Sequence, residues 1–166
     1  MLARFRDYQQ GTMPAGPGAR DLIAFSGTVD SELQAQAATA PAVLENDQQV
    51  NNLLAKRAGV LHLGVANYCW FIDPSKALCL KLASTPAAPA PLAGMCDSAR
   101  CPQATHHPCH RPVWAEAVTT TTVFPGQLSR TRTAERSRLQ GELDRARTIL
   151  DAIDAAAPDP ATERNG

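Results

Sequence analysis

Thiols and imidazoles able to hold a metal crowd into one stretch of this chain. Between Tyr68 and His110 lie all five cysteines and three of the four histidines. Cys69 and Cys79 fall five residues to either side of Pro74, and Cys96 and Cys101 form a Cys-x4-Cys pair after a Pro- and Ala-rich spacer. Cys109 follows, among His106, His107 and His110. Two separated thiolate pairs with imidazoles nearby are the donor inventory of a structural Zn2+ site, which takes four N or S ligands in a tetrahedron. The spacing is looser than a paired CxxC ribbon, so the residue types carry more of this reading than the spacing does.

Two ligand sets satisfy the inventory. The preferred one is Cys69, Cys79, Cys96 and Cys101, which leaves Cys109 and the histidines surplus. The other is Cys96, Cys101, Cys109 and His110 (or His106), with the first two cysteines merely buried; His107 is a further residue that could replace one of the four cysteines. Buried thiols without any metal are the plainer alternative. A catalytic zinc keeps an open position and needs a carboxylate near its bound water. Asp97 is the only acidic residue from Cys96 to His110, and neither HExxH nor HxE…CxxC occurs, so a structural role is preferred. The chain has no GxxxxGK[ST], no GxGxxG following a strand, and no GxSxG. A Cys109–His nucleophile is disfavoured by the adjacent prolines and the crowd of other ligands. A non-enzyme is expected.

These ligands need elements to gather them. Tyr68-Cys69-Trp70-Phe71-Ile72 is aromatic and β-branched, which favours a strand, and Asp73-Pro74-Ser75 is turn chemistry. A hairpin reversing there predicts that Cys69 and Cys79 meet at one end. Ala83 to Pro91, with three prolines and four alanines, reads as the loop joining the two halves of the site. Upstream, Leu22, Phe25, Val29 and Leu33 make one face of a helix beginning near Ala19. A second helix is capped at Asn46 or Asp47, carries Val50, Leu53, Leu54 and Leu61, and stops at Gly64. His62 reads as a packed histidine. Downstream, Pro112 suits the first turn of a helix with Val113, Trp114 and Val118, weakened by Thr119 to Thr122 and ended at Pro125-Gly126. The last helix, about Gln127 to Ile153, carries Leu139, Leu143, Ala146, Leu150 and Ile153 in a heptad-like seam. That seam suits self-association, a partner, or folding back on the module.

The expected architecture is mainly α, with a small β-hairpin metal-binding module, helical flanks and a C-terminal amphipathic helix. Its divisions are a flexible 1–18, a helical 19–64, a Cys/His module over 65–111, a helical 112–154 and a disordered tail over 155–166. With 5% aromatic residues a conventional core is thin, and a metal would compensate. The net charge is zero, which gives no global argument about nucleic acid. Locally, Arg130, Arg132, Arg136 and Arg138 are a candidate DNA-contacting set. Glu135, Glu142 and Asp144 interleave with them, so a solvated face of i,i+4 pairs is the preferred reading. No apolar run reaches the roughly 18 residues of a membrane span, and the N-terminus lacks the apolar region of a secretory signal. An odd cysteine count without an export signal predicts a reduced, cytoplasmic protein.

The stretch CWFIDPSKALCLKL, a Pro-rich gap, Cys-x4-Cys-Pro and a helix with a leucine repeat resemble a known C-terminal region. It belongs to large integrases of the tyrosine-recombinase type, carried by mobile elements of actinobacteria. The resemblance covers roughly residues 45–153, and Pro-x-x-Ala-Leu-Cys is its most specific portion. It implies that Cys69, Cys79, Cys96 and Cys101 are the two cysteine pairs, and that the partners are DNA or recombinase subunits. The departure is large. There is no His-x-x-Arg, and the only tyrosines are Tyr8 and Tyr68, so strand cleavage is not carried over. The expected function is a non-catalytic zinc-binding accessory protein or fragment acting in DNA recombination and integration. The rivals are a cytoplasmic iron–sulfur or redox-sensing protein on the same cysteines, and a protein–protein adaptor without DNA contact.

Overall fold

Three small apolar clusters divide the interior, as a chain with few aromatic residues requires. The computed structural model describes residues 1–39, 47–57, 60–129 and 131–157. It is mainly helical, with one small three-stranded antiparallel sheet.

The first cluster joins α1 (Leu2–Gln9), α2 (Ala19–Ala37) and α3 (Asp47–Arg57). Phe5, Val29, Leu33, Val50 and Leu54 fill it, and Leu22 and Phe25 lie on the same stripe of α2 as the spacing predicts. Residues 1–18, expected to be poorly ordered, are instead built into the fold. Phe5 is 1% exposed, and Ala15 exchanges two backbone hydrogen bonds with His106, at 2.7 and 2.8 Å. Gly16 has φ +91, and a Cβ there would stand 2.5 Å from His106 Nδ1. The glycine permits close approach of two chain segments; here it does not signal freedom.

The sheet has the order β1-β2-β3, with β1 Val60–Leu63, β2 Tyr68–Phe71 and β3 Ala104–Thr105. In β1–β2, His62 faces Cys69 and Leu61 faces Trp70. Two expectations are corrected here. Leu61 lies in a strand and not in the preceding helix, and the hairpin closes at residues 64–67 instead of at Pro74. Gly64 serves that turn, since a Cβ would meet the Asn67 carbonyl oxygen at 2.6 Å. After β2 the chain does not reverse. The Asp73 carboxylate accepts the Ser75 N–H at 2.9 Å and opens a 3-10 turn over Pro74–Lys76, which runs into the short helix α4 (Leu78–Leu82). Cys79 is therefore helical. Phe71, Ala77, Cys79 and Leu80 form the second cluster.

Helices α5 (Arg111–Gln127) and α6 (Thr133–Ala156) form an antiparallel pair. Arg111 at the start of α5 grips Asp154 near the end of α6 with two bonds, at 2.6 and 2.9 Å. Pro112 sits in the first turn as predicted. The threonine run does not interrupt α5. Thr119 and Thr122 donate to the carbonyls of Ala115 and Val118, one turn back, and the helix ends at Gln127, beside the Pro125-Gly126 stop that the sequence predicts. The α6 seam is folded back: Leu143, Ala146, Ile149 and Ile153 are buried, the last two with Ala15 in the third cluster. Ile149 takes the place expected of Leu150. The tail expected to be disordered is helical through Ala156 and lies outside the described residues from 158 onward. Among the described residues, no helix is long and apolar enough to cross a membrane.

Candidate metal centre

Four different local structures present the four preferred cysteines. Cys69 lies in β2 and Cys79 in α4. Cys96 follows a 3-10 turn at Ala93–Met95, and Cys101 closes the next turn by donating its N–H to the Asp97 carbonyl at 2.9 Å. All four line one cavity of about 270 Å3, bounded also by the β1–β2 turn and by Pro91 and Leu92. Cys79 and Cys101 are buried, Cys69 and Cys96 are half-buried, and all five thiols are free. The predicted convergence of Cys69 and Cys79 is thus achieved by strand, turn and helix in place of a hairpin.

Electrostatics ties the four together. Burial pushes the Cys69 thiol up to about 12, aided by the negative charge that Cys101, Cys96 and Cys79 would carry. Burial and the same neighbours raise Cys96, while its contact with Asn67 Oδ1 at 3.8 Å opposes the shift. The Cys69 and Cys96 thiolates are therefore hard to form, and a cation beside them would reverse that sign. Among the described residues, no three His, Cys, Asp or Glu side chains already stand at metal-holding geometry. The sulfurs share a cavity without a ready-made coordination shell.

A clamp unforeseen in the sequence aligns the two arms. Gln103 is 2% exposed, and its side-chain oxygen accepts the backbone N–H groups of Ile72 and Asp73. Its own carbonyl accepts the Trp70 N–H at 2.7 Å. The strand bearing Cys69 is thereby fixed to the turn bearing Cys101. Farther out, Trp114 Nε1 donates to the Ala66 carbonyl at 2.7 Å and anchors the hairpin turn to α5.

The alternative ligands lie elsewhere. Cys109 is exposed, with its sulfur 3.4 Å from the Tyr68 hydroxyl and 3.9 Å from Arg4 Nη1. That bond, more than burial, raises the Tyr68 hydroxyl above its usual range. His106 meets the Ser98 hydroxyl at 3.1 Å, His107 meets the Thr105 hydroxyl at 3.2 Å, and His110 Nδ1 accepts the His107 N–H. Burial lowers His106 to about 4 and His107 to about 3, and lowers His110 as well. Burial thus favours the neutral form of all three rings.

Among the described residues, the candidate DNA-contacting arginines differ in their surroundings. Arg138 bridges Glu135 and Glu142, Arg136 reaches the Leu128 carbonyl, and Arg132 is exposed at the head of α6. Arg130 lies outside the described residues.

No protein-family model, curated protein or solved structure matches the chain.

Proposed function

We propose that Cys69, Cys79, Cys96 and Cys101 hold a structural Zn2+, and that the protein is a non-catalytic accessory part of a mobile-element integrase system. One observation carries the metal reading: four thiols from four separate elements line a single cavity. Cys109 lies apart with Tyr68 and Arg4, which favours the four-cysteine set over the one containing Cys109 and His110. The first three ordered elements, the module and the α5–α6 pair each have only a small apolar cluster. A metal tying residues 69 to 101 would add the stability such a chain needs. Free thiols suit a reducing, cytoplasmic setting.

The role in DNA recombination rests on the resemblance over residues 45–153. The pairing of Arg138 with two carboxylates favours contact with recombinase subunits over a strong duplex interaction. Metal analysis of the purified chain tests the reading. About one zinc per chain is expected, lost in Cys69→Ser, Cys79→Ser, Cys96→Ser or Cys101→Ser and kept in Cys109→Ser. Zinc released by Cys109→Ser but kept by Cys69→Ser would establish the other ligand set. Iron with visible absorption would establish the iron–sulfur rival.

A further inference from the structure

His62 stands directly opposite Cys69 in the β1–β2 pairing. Directly opposed residues of an antiparallel pair project to one face, with Cβ atoms about 5 Å apart. Phe71, two residues beyond Cys69, shares that face. The His62 ring meets the Phe71 ring edge-on, at a centroid distance of 5.8 Å and an interplanar angle of 89°. This contact holds the imidazole over the strand, and His62 lines the same cavity as the four cysteines.

A metal-bound set of thiolates would be stabilised by an N–H donor on this side. Four thiolates around Zn2+ leave a net charge of about −2, which N–H donors to sulfur disperse. Of the described side chains lining the cavity, only His62 and Asn67 carry an N–H. Asn67 lies on the Cys96 side, with its oxygen 3.8 Å from the Cys96 sulfur and its Nδ2 donating to the Tyr68 carbonyl at 3.2 Å. The ring nitrogens of His62 have no hydrogen-bond partner among the described residues.

Resting on the zinc reading above, we propose that His62 donates a ring N–H to the Cys69 thiolate of the metal-bound site and sets how tightly the metal is held, without being a ligand. It is a positioning residue acting through Cys69. His62 is half-buried with its ring packed on Phe71, and it acts on metal retention and not on whether the site forms.

The test uses the full chain loaded with zinc, and separately with Co2+. Metal stoichiometry, affinity by chelator competition and the cobalt spectrum are measured for wild type, His62→Gln and His62→Met. Gln and Met match in size and differ in the N–H. His62→Met should bind one metal with about 10- to 100-fold lower affinity, and His62→Gln should recover much of that loss. The cobalt bands should keep their all-thiolate position in each. His62→Phe repeats the comparison with an aromatic ring on Phe71. Equal affinity for Gln and Met variants would reduce His62 to a packed ring and overturn the proposal. A shift of the cobalt bands on removing His62 would make it a direct ligand, which also overturns it. A wild-type chain that takes up no metal would instead overturn the zinc reading, and the role of His62 with it.

Discussion

The Asp73 backbone N–H donates a 2.8 Å hydrogen bond to the side-chain oxygen of Gln103. The same oxygen takes the Ile72 N–H at 2.9 Å. Together they fix the end of the Cys69 strand to the turn that carries Cys101. Gln103→Leu keeps an apolar body of similar length and strands the Asp73 N–H, while the Ile72 N–H keeps a 3.0 Å bond to the Trp70 carbonyl. A half-buried N–H left without an acceptor costs roughly 1–3 kcal/mol, so a loss of about that size is expected. Urea unfolding with an unchanged slope measures it. A loss under about 0.5 kcal/mol, the scale of an ordinary surface change, would deny Gln103 the role of clamp.

The histidines behind the module make the fold sensitive to mild acid. His106 and His107 titrate near 4 and 3 in the folded protein because burial disfavours their charged forms, against 6.5 for the unperturbed group. Below pH 6.5 the unfolded chain therefore binds protons that the folded chain refuses. Stability is present in full above pH 6.5 and is lost as pH falls towards 4 for His106 and towards 3 for His107. The summed loss by pH 5 should be on the order of a few kcal/mol. Denaturant midpoints at pH 7.5, 6.5 and 5.5 should fall in that order, and His107→Gln should flatten the trend. Identical midpoints for wild type across that window would mean that these rings are not held neutral.

Local signals were legible in the sequence, and long-range ones were not. The stripe Leu22, Phe25, Val29 and Leu33 depends only on helical period, and α2 follows it. Pro112 at the head of α5 is likewise a one-residue constraint. The four cysteines that line one cavity stand out in the sequence by residue type, which owes nothing to backbone path. The path itself misled at Asp73-Pro74-Ser75, since the same residues that turn a hairpin also cap a helix. Gly16 misled for a related reason. Its neighbours suggest flexibility, while its actual partner is His106, far along the chain. Gln103 carries no local signal, because its value lies in two backbone groups some thirty residues earlier.

Leu143 decides what the α6 seam is for. It is 5% exposed on the face that also buries Ala146, Ile149 and Ile153, whereas Leu139 and Leu150 are only half-buried. The Arg111–Asp154 pair lies near the far end of this face and is too exposed to hold the helices together alone. Apolar burial must do so. Leu143→Ala should then lower stability by about 2–4 kcal/mol through lost transfer energy and the cavity left behind. Leu143→Asp should melt the α5–α6 pair, because a carboxylate cannot be desolvated there without a partner. Leu139→Asp, one turn earlier and less covered, should cost much less. Thermal unfolding ranks the three, and sedimentation of wild type and Leu139→Asp shows whether any outer surface of α6 associates. If Leu143→Asp left melting unchanged while converting an oligomer to monomer, the seam would serve a second copy of the chain and not its own fold.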